Sequence, residues 1–299
     1  MLGFRGIFMN FIAAIINGLS SGGTYAIIAL GYTMVYGIAK MLNFAHGDII
    51  MMGGYAMYIA LSLAGYPILA LVAGIVFCVL LGVAIERYAY KPLRGAAPLA
   101  VLITAIGMSY LLQSLAQIIF GSAPKMLVKL QVPGFFMIGS LRVDYSTLIT
   151  LIVTVVVMTA LTVFIKKSKP GRAMVAVSED RDAALLMGIN TNAIIAITFA
   201  IGSALAAVAG YLMLMKAPSL SNTLGAMPGI KAFTAAVIGG IGSIPGAMVG
   251  GILLGVVESF SYSIPALAPF TEAVEFSILI AVLLVKPSGI LGKMRREKV

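Results

Sequence analysis

Long stretches without a charged residue dominate the chain, and polar residues are confined to short segments between them. The charge-free stretches cover 6–39, 49–85, 95–124, 145–165, 183–215 and 232–257. One helical membrane crossing needs about 20 apolar residues, so several of these stretches are long enough for two elements. They lack the alternation of apolar and polar residues that is typical of an outer-membrane barrel. The pattern predicts an all-α, polytopic transmembrane protein.

Clusters of glycine, proline and polar residues divide these stretches, because such residues interrupt helices. Breaks are predicted at 17–23, 43–48 and 239–246. In the last of these, Ser243 is a predicted N-cap with Pro245 in the first turn of the next helix. The resulting membrane elements are 5–21, 24–40, 49–65, 68–88, 97–120, 145–166, 193–215, 228–240, 244–262 and 270–286.

These ten elements form two inverted halves of five elements with broken helices, which is a common plan in transporters. Basic residues collect in 86–96, 166–192 and 286–299. Ten crossings place these segments and both termini on the cytoplasmic side, as the positive-inside rule requires. An arrangement with eight spans, in which the Gly-rich breaks do not cross fully, is the alternative.

Composition supports a membrane protein and excludes a soluble one. Hydrophobic residues make up 61% of the chain, charged residues only 10%, and the mean hydropathy is +1.08; soluble domains are about 25% charged. No polar stretch is long enough to fold alone, so 1–299 is predicted to be a single transmembrane domain. The net charge of +10 fits membrane orientation better than nucleic-acid binding, since no aromatic residues interleave with the basic ones.

The sequence lacks motifs for catalysis, metal binding or nucleotide binding. It contains no metal-ligating cluster, no nucleophile–base arrangement and no P-loop pattern, so no catalytic residue, metal or cofactor is expected. The central helices carry no acidic or histidine relay of the kind that ion-coupled pumps use. An ion-coupled secondary transporter or channel, or an intramembrane enzyme, is therefore a weaker hypothesis than a transporter driven by a separate energy source.

The segment 166–192 is the longest polar stretch. Ser178 is a predicted cap for a short helix over 179–187, with Glu179 and Asp180 in its first turn and Gly188 just past its end. Such a helix suits the groove of a partner protein. An ordinary solvated loop is the other interpretation, and spacing alone favours it.

Four blocks of sequence resemble the LivH-type permease subunits of branched-chain amino-acid ABC transporters. The first is Asn17–Gly18 with Gly22–Ile27, the second is Leu42–Asp48, and the fourth is Val237–Ala247. The third consists of Gly171–Ala173 with Glu179–Asp180, Ala183–Ala184 and Gly188–Asn190. The resemblance runs from about Ile15 to Gly292. It implies a multi-pass permease of the bacterial cytoplasmic membrane that carries leucine, isoleucine and valine. Amides, urea or another amino acid remain alternative substrates.

The resemblance also implies partners. These are a second homologous permease, two ATP-binding subunits, an extracytoplasmic substrate-binding protein and the lipid membrane. In such a complex 166–192 is the cytoplasmic coupling loop that docks on the ATPase. Relatives often carry a second basic residue near Val175, which this chain lacks. The residues expected in that contact are Arg172, Glu179, Asp180, Arg181, Ala183, Ala184, Leu186, Met187 and Gly188.

The breaks at 43–48 and 239–243 are expected to approach each other near the permease centre and to line the translocation path. The path residues would be Asn43, His46, Asp48, Gly239, Gly240, Gly242 and Ser243. For two of them a structural role is favoured instead: Asp48 as the cap of a helix that starts at Ile49, and His46 as a packing residue.

Two further groups have predicted positions. Glu258, Glu272 and Glu275 lie near predicted helix ends, and the last two are interpreted as an external rim. Glycines recur at every fourth residue over 242–250 and again at 251 and 255. Such small residues allow membrane helices to approach closely, either within the chain, which is favoured, or along a seam between two permeases.

Overall fold

The computed structural model of the chain describes residues 2–138 and 141–292, and it is a bundle of helices. The basic residues of the C-terminal tail beyond Gly292 lie outside the described residues. The helices are α1 (Leu2–Ala39), α2 (His46–Ala64), α3 (Pro67–Ile85), α4 (Pro98–Phe120), α5 (Tyr145–Lys167), α6 (Lys169–Glu179), α7 (Arg181–Leu186), α8 (Thr191–Lys216), α9 (Ala226–Gly239), α10 (Ile244–Ser263) and α11 (Thr271–Val285).

Eight helices of the described chain are long and apolar enough to cross a membrane. They are α1 to α5, α8, α10 and α11, while α9 is a shorter apolar helix. The predicted ten-element arrangement is not confirmed, and the count agrees with the alternative of eight spans. The short strands lie outside these helices: β1 (Lys125–Met126) pairs with β4 (Ser219–Leu220), and β2 (Phe135–Ile138) pairs with β3 (Leu141–Asp144).

Helix α1 is unbroken, so the predicted break at 17–23 is wrong. Its glycines are packing residues: a Cβ at Gly22 would lie 2.8 Å from the Ile252 Cα, and one at Gly18 would lie 2.7 Å from the Val256 Cα. Small residues let two membrane helices touch through their backbones. Gly251 and Gly255 on α10 meet the same face of α1. The favoured interpretation of these two glycines, packing within the chain, is confirmed.

The predicted break in the second half is confirmed. Helix α9 ends at Gly239, and Gly240 and Gly242 have φ angles of 108° and 90°, a region that L side chains rarely adopt. Helix α10 then begins with Ser243 as its N-cap, whose Oγ accepts a hydrogen bond from the Gly246 backbone N–H at 3.2 Å.

The two ends of the bundle differ in charge. One end, here called the basic end, joins 86–97, 168–190 and 286–292; a hydrogen bond from Arg94 to Asn192 connects the first of these segments to the start of α8, which follows the second. The other, here called the opposite end, holds the β1–β4 pair. Because Gly37 near the end of α1 contacts Gly242 close to the basic end, the start of α1 lies toward the opposite end. The start of α1 and the last described segment, 286–292, therefore lie at different ends of the bundle, which differs from the expectation that both termini share one side.

Helix packing follows a reciprocal pattern. Helix α1 packs on α10, and α8 packs on α3. Helix α2 contacts α3 and α8, while α9 contacts α10 and α1. These contacts of α1, α2 and α3 thus have counterparts in those of α8, α9 and α10. Most residues of α2 and of α8 are buried inside the bundle.

Candidate functional site

The polar segment after α5 folds into two short helices packed on the membrane helices. Ser168 caps α6 by accepting a hydrogen bond from the Gly171 backbone N–H at 3.0 Å. Gly171 lies directly against the backbone of Phe164 and Ile165 at the end of α5. Met174 and Val177 continue this buried face. Helix α6 is thereby fixed against α5, and it also contacts α8 and α1.

Helix α7 starts later than predicted and has a different cap. Asp180, in extended conformation, ends α6, and its Oδ1 accepts hydrogen bonds from the Asp182 and Ala183 backbone N–H groups, both at 2.9 Å. The single helix over 179–187 with a Ser178 cap is therefore wrong, because the extended backbone at Asp180 separates two helices.

The predicted end of α7 at Gly188 is confirmed. Gly188 has a φ of 79°. Its N–H donates to the Leu185 carbonyl and the Ile189 N–H donates to the Ala184 carbonyl, both at 3.0 Å. This pair of bonds is a Schellman motif, which closes a helix at a left-handed glycine. Helix α7 is thus fixed at both ends despite its short length.

Three consecutive large apolar side chains are exposed at the end of α7: Leu185 (59% exposed), Leu186 (88%) and Met187 (82%). We call these three residues the coupling surface. Exposed apolar patches at a polar end of a protein indicate an interaction site. Arg172, Glu179, Asp180, Arg181, Ala183 and Gly188, also predicted for this contact, are exposed as well.

Ala184 does not belong to that surface. It is only 4% exposed and faces the protein, because it lies on the side of α7 that packs inward. Its burial contradicts the prediction that Ala184 contacts a partner. Leu185, which the sequence reasoning omitted, is exposed beside Leu186 and Met187.

The break predicted at 43–48, here called the first break because α1 is continuous, lies at 40–45, and α2 starts at His46 rather than at Ile49. Asp48 is therefore inside the first turn, and it does not cap the helix; its Oδ1 accepts a hydrogen bond from Gln113 Nε2 on α4 at 2.8 Å. His46 is buried, and its ring lies 4.8 Å from that of Tyr32 in an edge-to-face contact. A packing role for His46 agrees with this position. Asn43 is buried nearby and accepts a hydrogen bond from the Tyr90 hydroxyl at 2.9 Å.

The start of α2 meets the start of α9. A Cβ at Gly229 would lie 3.1 Å from the Gly47 Cα, and Gly225 is packed against the Gly47 carbonyl. The rings of Phe44 and Phe233 are 5.3 Å apart. The partner of the first break is thus the segment around 225–233.

The second break lies elsewhere. Gly239 is ten residues beyond Gly229 on the same helix, which is about 15 Å at 1.5 Å per residue. The neighbours of this break are at the basic end: the Leu291 N–H donates to the Gly239 carbonyl at 2.9 Å, and Gly242 lies nearest to Gly37. The expectation that 43–48 and 239–243 meet at the centre is wrong, because the full length of α9 separates Gly47 from Gly239.

Comparison with known proteins identifies the family. The model of the family described as "Branched-chain amino acid transport system / permease component" matches residues 14–283. The chain belongs to this family. The match includes α2 to α10, most of α1 and α11, and the coupling surface.

Curated relatives cover nearly the full length of this permease. It is 46% identical to the high-affinity branched-chain amino acid transport system permease protein BraD of Pseudomonas aeruginosa, over 97% of this chain and 98% of that one. It is 45% identical to LivH of Salmonella typhimurium, over 98% and 99%. The probable branched-chain amino acid transport permease protein LivH of Methanocaldococcus jannaschii is 29% identical, over 89% and 88%.

A buried ionic cluster in the permease escaped the sequence reasoning. Lys231 Nζ on α9 forms ion pairs with Glu258 Oε1 on α10 and, at 3.2 Å, with Glu275 Oε1 on α11. The Tyr25 hydroxyl donates to the same Glu258 oxygen at 3.0 Å. Glu275 was predicted to lie on an external rim, and that prediction is wrong. Lys231 and Glu275 are both buried, and each needs the other as a partner because charges inside a membrane protein are otherwise costly. Glu272 is exposed, as a rim position requires.

Proposed function

We propose that the chain is the membrane-spanning permease subunit of an ABC importer that carries branched-chain amino acids across the inner membrane. Hydrolysis of ATP takes place on separate subunits. The observation that carries this proposal is the match to the permease family over residues 14–283, together with near-full-length relatives named as high-affinity branched-chain amino acid permeases.

The coupling surface is the part of the chain that we assign to the ATPase. Leu185, Leu186 and Met187 would enter an apolar cleft, and Arg172, Glu179, Asp180 and Arg181 would surround them and set the register by charge. Two features support this role. Helix α7 is held rigidly by its cap and its Schellman motif. Helix α6 contacts α5, α8 and α1, so a force on it reaches three membrane helices.

Orientation follows from charge. The basic end carries many of the Lys and Arg residues and belongs in the cytoplasm under the positive-inside rule. Segment 166–192 is then the cytoplasmic coupling loop of a single transmembrane domain. The opposite end faces the substrate-binding protein. A complete importer would contain a second homologous permease and two ATP-binding subunits.

The reciprocal packing supports a mechanism of alternating access. We assign α1–α4 and α8–α11 to two inverted halves, with α5 between them. In such transporters the helices that start inside the membrane lie near the substrate site. Here those helices are α2 and α9, which meet at Gly47 and Gly225. The translocation path then runs beside this junction, and Asn43, His46 and Asp48 lie on one side of it. Gly239, Gly240, Gly242 and Ser243 belong to the cytoplasmic side.

Reconstitution tests the proposal. The permease, its partner permease, the ATPase subunits and the binding protein are placed in proteoliposomes with ATP inside, and uptake of radiolabelled leucine is measured. We expect uptake that requires ATP and the binding protein. Uptake of acetamide or urea in place of leucine would overturn the assignment of a branched-chain amino acid as the substrate. Uptake driven by a proton gradient without ATP would overturn the transporter class.

A further inference from the structure

A polar cavity of about 620 Å³ lies between α1 and α10 toward the opposite end. Its volume is in the range of small-molecule sites. Its wall includes the side chains of Asn17, Ser21, Tyr25, Glu258, Tyr262 and Ser263. Asn17, Tyr262 and Ser263 are exposed at its mouth. The wall contains hydroxyls, an amide and a carboxylate, but no large aliphatic side chain.

Such a wall does not suit contact with lipid. Polar groups at membrane depth are tolerated where they face protein or line a water-filled space. The cavity therefore faces the aqueous route or a partner subunit. Its inner end is Glu258, which belongs to the ionic cluster.

Glu258 offers a carboxylate that is already held in place. The Tyr25 hydroxyl and the Lys231 ammonium group both bind its Oε1, and the carboxylate also lines the cavity. Other charges around it are the buried Glu275, which shares Lys231, and Lys216, whose Nζ donates to Ser20 Oγ at 2.5 Å beside the lining Ser21. Glu272 is exposed to solvent. The site thus combines a fixed carboxylate with a nearby ammonium group and neutral donors.

We propose that this cavity binds the zwitterionic head group of an amino acid as it enters the permease. Glu258 accepts hydrogen bonds from the α-ammonium group, and Ser21, Asn17 and Tyr262 donate to the α-carboxylate. The lack of large aliphatic side chains means that the cavity recognises the head group and not the branched side chain. This inference rests on the proposed function and deepens it, because it adds a substrate site apart from the junction of α2 and α9.

Protection of a cysteine from labelling tests the site. The single cysteine of the chain, Cys78, is buried, so Ser263→Cys introduces an accessible thiol at the cavity mouth. Ser62→Cys is a matched control: it lies in the last turn of α2, is exposed, and its hydroxyl donates to the carbonyl four residues earlier at 2.8 Å, as that of Ser263 does. The assembled complex in liposomes is treated with N-ethylmaleimide, and this chain is analysed by mass spectrometry. The probes are leucine, alanine, 4-methylpentanoate and 3-methylbutylamine.

Leucine and alanine are expected to slow labelling of Ser263→Cys and to leave Ser62→Cys unaffected. Neither 4-methylpentanoate, which lacks the ammonium group, nor 3-methylbutylamine, which lacks the carboxylate, should match leucine. Adding Glu258→Gln should raise the half-protecting leucine concentration by roughly tenfold, the order of one hydrogen bond to a charged group. The proposal is overturned if Ser263→Cys is not labelled, if leucine gives no protection, or if 4-methylpentanoate protects equally well.

The cysteine result stands even if Glu258→Gln fails to assemble. Leucine uptake by the parental complex separates the two proposals. If uptake is normal and Ser263→Cys is not protected, the cavity assignment alone fails. If the parental complex does not take up leucine under any condition, the proposed function fails.

Discussion

Gly47 and Gly225 touch through their backbones where α2 and α9 begin, so closely that a Cβ on Gly225 would overlap the Gly47 carbonyl. Their contact joins the two series of helices, and it lies next to the buried His46 and the hydrogen bond between Asp48 and Gln113. Under the proposed mechanism this junction lies beside the substrate path.

Gly225→Ala is expected to destabilise the permease and to abolish leucine uptake. The added methyl group has no space, and overpacking of this kind costs about 1–3 kcal/mol. Gly107→Ala is the matched control, because nothing lies within 4 Å of a Cβ at that position. Thermal unfolding in detergent and uptake in liposomes measure both variants. Equal behaviour of the two would mean that the junction is not a constraint.

Leu186→Asp is expected to leave the fold intact and to release the ATPase subunits. The side chain is 88% exposed, so the change costs the isolated chain little, while a charge in an apolar cleft weakens binding by roughly tenfold or more. Co-purification of the ATPase with the tagged permease is the measurement. Met126→Asp, an exposed apolar residue at the opposite end, should retain the ATPase.

The same substitution at the buried Ala184, two residues before Leu186, should have a different effect. Ala184→Asp should lower the thermal stability of the permease itself, since Ala184 is buried. Retention of the ATPase by Leu186→Asp at normal expression would remove the coupling surface from the mechanism.

Asp180 is expected to stabilise the start of α7 as its N-cap, in addition to any effect of its negative charge on the ATPase contact. Asp180→Ala removes the acceptor for two backbone N–H groups, at a cost of about 1 kcal/mol. Asp180→Asn retains a good cap without the charge. Hydrogen exchange should therefore speed up at the amides of Asp182 and Ala183 in the alanine variant only. Uptake that falls equally in both variants would show that the charge matters more than the cap.

Lys231→Met is expected to be strongly destabilising. It leaves two buried carboxylates without a counter-charge, and breaking a buried ion pair costs about 3–5 kcal/mol. The combined variant with Glu258→Gln and Glu275→Gln should recover part of that loss. Glu272→Gln, at an exposed position, should change the free energy of unfolding by less than about 0.5 kcal/mol. A combined variant less stable than Lys231→Met would contradict this account.

Local signals in the sequence predicted the elements that local chemistry determines. The start of α10 at Ser243 and Pro245 and the end of α7 at Gly188 depend on residues next to one another. The glycines at 18 and 22 carried an ambiguous signal, because a glycine can end a helix or allow close packing. Only the position of α10 decides between these roles.

Features that combine residues far apart in the chain could not be predicted from the sequence. Lys231, Glu258 and Glu275 come from three helices, and no spacing rule connects them. A lysine within the apolar helix α9 was the one available sign that a buried partner exists. Similarly, the meeting of Gly47 with Gly225 depends on the packing of the whole bundle. The exposure of Leu185 beside a buried Ala184 depends on where α7 touches its neighbours.

Backbone contact between α1 and α10 has a mechanical meaning. Gly18 on α1 and Gly251 on α10 both lie in this contact, so the two backbones meet without a flexible side chain between them. The helices therefore have little freedom to slide past each other. Helix α6 touches α1 at the basic end. Under the proposed function, a displacement received there would move α1 and α10 together as one rigid unit, and would thus reach the opposite end of the bundle without passing through the junction of α2 and α9.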